Sequence, residues 1–128
     1  MKAKQRPLSP FMIGPYYKPQ MTSLMSIAHR ASGVFLSLVG APLLLWCIVA
    51  VGSGPDAYQE LVGFFAGWPG RVLLAASLLG LFYHLFNGIR HLVWDTGRAL
   101  EISSAYRAGF GVLIATVLAT AAMLGALL

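Results

Sequence analysis

Two short stretches carry the residues able to do chemistry. In "FYHLFNGIRHLVWDTG", from Phe82 to Gly97, the residues His84, Gly88, His91 and Asp95 stand at i, i+4, i+7 and i+11. That spacing places them on one face of a helix. A neutral imidazole can ligate a haem iron, or it can hydrogen-bond to a neighbouring helix. Both readings of His84 stand on the residues alone. Gly88, one turn on, has no side chain, so a flat ring system or a second helix can come close there. In "SIAHR", Ser26 and Arg30 are one helical turn apart with His29 between them. An arginine at a membrane boundary can hold an anion or donate to a carbonyl oxygen, and a nearby serine adds a second hydrogen bond. The same arginine can simply reach for the interface with its charged tip.

Apolar runs must position these groups. The chain has 128 residues, 58% of them hydrophobic and only 10% charged. A soluble domain of this size carries nearer a quarter charged residues, and so few charges do not cover a water-facing surface. The composition therefore predicts an all-α integral membrane protein. Three apolar runs, Ala31–Val51, Val72–Trp94 and Ala108–Leu128, are each long enough to cross a hydrocarbon layer of roughly 30 Å. Lipid offers the backbone no hydrogen bonds, so each must be a helix. The pattern predicts three transmembrane helices over about residues 23–52, 70–95 and 106–128, with Thr22 or Ser23 capping the first and a loop after "GSGPD". Residues 1–22 hold Pro7, Pro10, Pro15 and Pro19 and read as an extended arm. The arm has no apolar core or cleavage site of a secretory signal.

Basic residues set an expected orientation. Lys2, Lys4, Arg6 and Lys18 precede the first span, Arg30 lies just inside it, and Arg98 and Arg107 lie between the second and third. The first loop has Arg71 beside Asp56 and Glu60, and the C-terminal end has no basic residue. This predicts the N-terminus and second loop on the cytoplasmic side. The net charge of +5 then marks topology, not nucleic acid, because the basic residues sit at the ends of apolar runs. His84 is ten residues before Trp94, about 15 Å below the cytoplasmic end, near mid-membrane. An ionisable side chain at that depth faces protein, cofactor or a polar path. Arg90, His91 and Asp95 fall near the interface, where Arg90 and Asp95 read as interfacial charges.

Other chemistry is excluded. No Gly-rich phosphate loop, Cys-x-x-Cys pair or nucleophilic triad is present, so the chain has no catalytic residues of its own. The single Cys47 reads as a small hydrophobe inside the first span. Gly33, Ser37 and Ala41 form a ridge of small residues suited to helix packing. His29 and His91 lie higher than His84, so neither is an easy second axial ligand, and a hetero-oligomer is the simpler expectation.

Together, "RPLSP", "TSLMSIAHRASGV" and "YHLFNGIRHLVWD" resemble the cytochrome b subunit of succinate dehydrogenase, respiratory complex II. The resemblance runs from the arm through the second span. Either motif alone is weak; the pair at this separation is specific. The resemblance implies a membrane anchor in a helical bundle with a second small membrane subunit. It implies haem b shared between the two, with His84 as one axial ligand and the partner supplying the other. Ser26 and Arg30 match quinone-site positions, for ubiquinone or another quinone. His29, Arg30, Gly88 and His91 would lie near the haem or its propionates. Further partners would be an iron–sulfur subunit and a flavoprotein that oxidises succinate. Where many relatives have histidine after "RPLSP", this chain has Phe11. A fumarate reductase anchor, or a structural or transport subunit whose histidine only packs, are the alternative readings. The absence of an Arg- and Ser-rich presequence favours a bacterial gene or a mature chain, and a bacterial cytoplasmic membrane is expected ahead of a mitochondrial inner membrane.

Overall fold

The computed structural model describes Gly14 and residues 17–128. Most of the N-terminal arm, including Phe11, lies outside the described residues. Three helices are long and apolar enough to cross a membrane: Met21–Ser53, Trp68–Asp95 and Ile102–Leu127. They are called the first, second and third spans below. At 1.5 Å per residue even the shortest rises about 39 Å, more than the hydrocarbon thickness, so all three have ends that reach the headgroup region. No strand is present among the described helices and turns beyond an isolated bridge residue at Tyr17.

The first span begins at Met21, ahead of both expected caps. Gln20 is the N-cap, with extended backbone and no side-chain bond, and Leu24 N–H closes the first turn on the Gln20 carbonyl. Thr22 and Ser23 are therefore inside the helix. Midway, Leu36–Gly40 widens into a π turn, with Ala41 N–H reaching back to the Leu36 carbonyl. Pro42 follows immediately. A proline cannot donate to the carbonyl four residues back, and its ring crowds that carbonyl; a π turn relieves both.

The segment expected to be a loop after Ser53 is instead a fourth helix, Pro55–Ala66. Gly54, at φ 111°, makes the break that a residue with a Cβ would resist. Pro55 at the first helical position and Asp56 in the first turn are ordinary helix-start chemistry, and they outweigh the short length. Buried Leu61 and the Trp46–Phe64 edge-on pair, 5.1 Å between centroids, fasten this helix to the first span.

The second and third spans are joined by a short turn. Gly97 takes a left-handed φ of 76°, and the Thr96 hydroxyl bonds the Val93 carbonyl. Trp94 Nε1 donates to the Ala99 carbonyl across the turn. The third span buries one stripe, Ala105, Gly109, Val112, Thr116 and Thr120, at helical spacing. Elsewhere leucines, isoleucines and valines of all three spans are exposed. That is the composition of a surface meeting lipid or other membrane helices.

Candidate functional site

The last turns of the second span carry two adjacent stripes. Tyr83, Asn87, Arg90 and Trp94 form one; His84, Gly88, His91 and Asp95 form the other. Between them they show where each expected site residue lies.

The first stripe faces the other two spans. Asn87 is fully buried, and Arg90 is only 5% exposed. This corrects the reading of Arg90 as an interfacial charge reaching for water. Its Nη1 donates to Asn87 Oδ1 at 3.2 Å, and its Nη2 to the Ala105 carbonyl of the third span at 3.0 Å. Nη1 also lies 3.8 Å from Met25 Sδ of the first span, and the guanidinium sits 4.1 Å over the Trp94 ring. All these partners are neutral. The Met25 carbonyl accepts from Tyr83 Oη at 2.8 Å and, at 3.5 Å, from Asn87 Nδ2. One arginine thus ties three spans together at the level of Met25, one residue before Ser26. A buried cation with only dipoles around it is costly unless its donors are used, and here two of its three nitrogens are. Its Nε has no partner. Gly109 packs closely against the same group: a Cβ there would lie 2.8 Å from Met21 Cε and 2.9 Å from Met25 Sδ, so the methionine tips would have to shift.

The second stripe is half-buried at His84, Gly88 and His91 and exposed at Asp95, and it carries two of the three histidines. The His84 and His29 rings stack with centroids 4.0 Å apart and planes 11° from parallel. His29 in turn stacks on His91, at 5.1 Å and 19°. Seven residues of helix rise about 10 Å, close to the length of these two steps, so His29 fills the gap between the two histidines of the second span. The structure brings His29, His84 and His91 into one column and makes Gly88 its neighbour. The Gly88 position is not open: a Cβ there would meet His29 Cε1 at 3.6 Å, an ordinary contact. The close approach is at Gly33, where a Cβ would come within 2.9 Å of His84 Cε1. Gly33 is thus more than one step of a packing ridge; it is the seat of the His84 ring.

Hydrogen bonds fix the protons of the column. His84 Nδ1 lies 3.1 Å from the His29 carbonyl and 3.1 Å from Ser32 Oγ. A carbonyl only accepts, so Nδ1 carries the proton and Nε2 keeps its lone pair. This is the arrangement a metal-binding imidazole adopts, with its far nitrogen free and its near N–H held by an acceptor. His91 Nδ1 donates to the Asn87 carbonyl one turn back at 2.7 Å. His29 Nδ1 is buried with no partner. Among the described residues no group of three or more His, Cys, Asp or Glu is placed to hold a bare metal ion. A single free imidazole nitrogen beside an unsatisfied one suits a metal that brings most of its own ligands, as a porphyrin-held iron does.

Ser26 is half-buried and Arg30 exposed, one turn apart on the first span. Among the described residues neither side chain hydrogen-bonds His84, whose Nδ1 is held by Ser32 and the His29 carbonyl. Cys47 is half-buried and unpaired among the described residues. An apolar cleft of about 440 Å³, between Ala28, Phe35, Leu79, Gly80 and Thr116, has almost no polar wall. It holds no chemistry-bearing group apart from Tyr83, whose hydroxyl is taken by Met25. The residues that sequence reasoning missed are Ser32, Gly33, Tyr83 and Asn87. The i, i+4, i+7, i+11 pattern that singled out His84 recurs one residue earlier at Tyr83, Asn87, Arg90 and Trp94, which is the signal that could have found the second stripe.

Comparison with known proteins yields consistent matches. Residues 2–123 match the family described as succinate dehydrogenase/fumarate reductase transmembrane subunit. The chain is 40% identical over 112 residues to the succinate dehydrogenase cytochrome b560 subunit of Marchantia polymorpha, covering 81% of this chain and 77% of that one. It is 38% identical over 117 residues to the mitochondrial succinate dehydrogenase cytochrome b560 subunit of Homo sapiens, covering 90% and 68%. It is 33% identical over 112 residues to the succinate dehydrogenase cytochrome b556 subunit of Paracoccus denitrificans, covering 88% and 84%.

Proposed function

The chain belongs to the succinate dehydrogenase/fumarate reductase transmembrane subunit family, and from that premise we propose that it is the haem b- and quinone-binding anchor of a succinate:quinone oxidoreductase. It is a membrane-anchor subunit of succinate dehydrogenase. The relatives' names favour succinate oxidation over fumarate reduction as the working direction.

One observation carries the haem assignment. His84 holds its Nδ1 proton against the first span, which leaves Nε2 as a free donor at mid-span. His84 would hold the haem iron in this reading. His29 offers a buried, unpartnered Nδ1, and His29, Arg30 and His91 bind the propionates. Gly88 lies beside the His29 ring. When bound, haem b takes up and returns one electron at a time.

His29 and His84 are stacked face to face, so no iron fits between them with a nitrogen of each as ligand. Another small membrane subunit would supply a further ligand to the iron and would cover part of the exposed apolar surface. Ser26 and Arg30 bind the quinone: the Ser26 hydroxyl hydrogen-bonds a quinone oxygen, and the Arg30 guanidinium stabilises the negative charge that grows there on reduction. Ubiquinone or another quinone is the substrate. An iron–sulfur subunit delivers the electrons, and a flavoprotein subunit takes them from succinate.

Orientation follows the basic residues. Lys18 and Arg30 at the start of the first span share one membrane side with Arg98 and Arg107, and the His29–His91 stack supports that pairing of ends. That side is the cytoplasmic one in a bacterial membrane.

The test is spectroscopic. In the assembled complex, His84→Leu abolishes the low-spin haem spectrum in reduced-minus-oxidised difference. An unchanged spectrum in that variant overturns the assignment. Ser26→Ala lowers the ratio of quinone reductase to artificial-acceptor activity. An equal fall in both activities argues against a quinone role for Ser26.

A further inference from the structure

Ser32 stands in the first motif, three residues after His29, and the proposed function gives it nothing to do. Its surroundings give it a task. Ser32 Oγ is 2.8 Å from the His29 carbonyl and 3.1 Å from His84 Nδ1. The same carbonyl is 3.1 Å from the same nitrogen. A hydroxyl has one proton and two acceptor lone pairs. The Ser32 proton goes to the His29 carbonyl, which can only accept. The contact to His84 is then an Nδ1–H donating to Ser32 Oγ as well as to the carbonyl.

A helical serine that bonds the carbonyl three residues back is common and by itself means little. Two features depart from that bland picture. The hydroxyl is also used across helices, by a residue 52 positions away. And the adjoining Gly33 brings the His84 ring hard against the backbone of the same turn, where a Cβ would come within 2.9 Å of Cε1. The ring is clamped at its edge by Gly33 and at its nitrogen by Ser32 and the His29 carbonyl.

We infer that Ser32 is a positioning residue for His84: its hydroxyl is a second acceptor for the Nδ1–H that the His29 carbonyl fixes, sets the ring angle, and makes Nε2 a stronger electron-pair donor. The inference rests on ligation by His84. Acceptors on the far N–H of an imidazole increase the electron density at its metal-binding nitrogen, which favours the more oxidised iron. Removing one of the two acceptors weakens that preference and raises the haem potential.

The experiment is potentiometric titration of the haem absorbance in the purified complex, comparing wild type, Ser32→Ala, Ser32→Thr and His84→Leu. Ser32→Ala shifts the ferric-to-ferrous preference on the order of threefold toward ferrous, about 28 mV upward at 59 mV per tenfold for one electron. Ser32→Thr, which keeps the hydroxyl, stays at the wild-type potential. A serine that only packs would lower stability and leave the potential where it is. An unshifted potential in Ser32→Ala, with His84→Leu losing its low-spin spectrum, overturns this inference and leaves the ligand assignment standing. A His84→Leu complex with an unchanged spectrum overturns the assignment itself. Should Ser32→Ala fail to assemble, Ser32→Cys keeps the volume with a weaker acceptor. Its potential rises if Ser32 acts as inferred, and an unshifted value overturns the inference.

Discussion

Two stripes lie side by side on the second span, one residue out of step, and they are built to opposite plans. Tyr83, Asn87, Arg90 and Trp94 are turned into the chain, and most donors among them meet an acceptor within it: the Met25 carbonyl for Tyr83 and Asn87, Asn87 and the Ala105 carbonyl for Arg90, and the Ala99 carbonyl of the turn for Trp94. His84, Gly88, His91 and Asp95 stay half-open, with one nitrogen of His84 held and the other free. Polar groups in a membrane interior are tolerated only with partners. The closed stripe has found them within the chain and so acts as architecture. The open one is half-satisfied, which is what a site awaiting a cofactor and a second subunit requires. Polarity in a span therefore does not by itself mark a site; the unmatched remainder does.

Substitutions can break this contrast. The largest effect is expected from Asn87→Leu, which strips Arg90 of its Oδ1 acceptor and leaves the charge buried. A loss of about 2–3 kcal/mol follows, read as a lowered thermal midpoint of the solubilised complex, together with poor assembly. Gly33→Ala comes next. Its methyl must displace the His84 ring or the first span, at about 1–3 kcal/mol. Unlike Asn87→Leu, it should perturb the haem spectrum before it lowers the yield of complex. Should Asn87→Leu shift the spectrum and Gly33→Ala leave it intact, the division of labour between the stripes is wrong.

Tyr83→Phe tests the closed stripe more gently. It removes one hydroxyl from the Met25 carbonyl, for about 1 kcal/mol, with the haem band unmoved. The smallest effect belongs to Gly88→Ala. The added methyl meets His29 at an ordinary contact distance, and alanine favours helix over glycine by about 1 kcal/mol. Stability should hold or rise slightly, measured by the same thermal midpoint. A large loss would show that the Gly88 face must stay open, as the sequence pattern alone implies.

Gly88 and Arg90 show how far the sequence carries. The pattern of apolar runs fixes the all-helical membrane class, because length and lack of charge leave a spanning chain no other structure. The spacing of His84, Gly88, His91 and Asp95 defines a face, because helical periodicity is local. Depth alone then suggested that Arg90 sits in the interface. Depth did not show that its side chain is buried, because burial is decided by which neighbour covers a side chain, and the Ala105 carbonyl and Met25 come from distant parts of the chain. The connecting helix Pro55–Ala66 was missed for a simpler reason: it is too short to span and its start signals were read only as the end of the preceding helix.

By itself, then, the sequence determined the class of protein, the number of spans, the motif pair and the histidine face, all set by properties of residues near one another along the chain. Only the tertiary structure decided that His29 stacks between His84 and His91, that Ser32 and the His29 carbonyl hold Nδ1, and that Arg90 pins three spans. Each of these depends on the rotation and height of one helix against another. Those are set by close contacts such as Gly33 on His84 and Gly109 on Met25, which no periodicity within a single helix records.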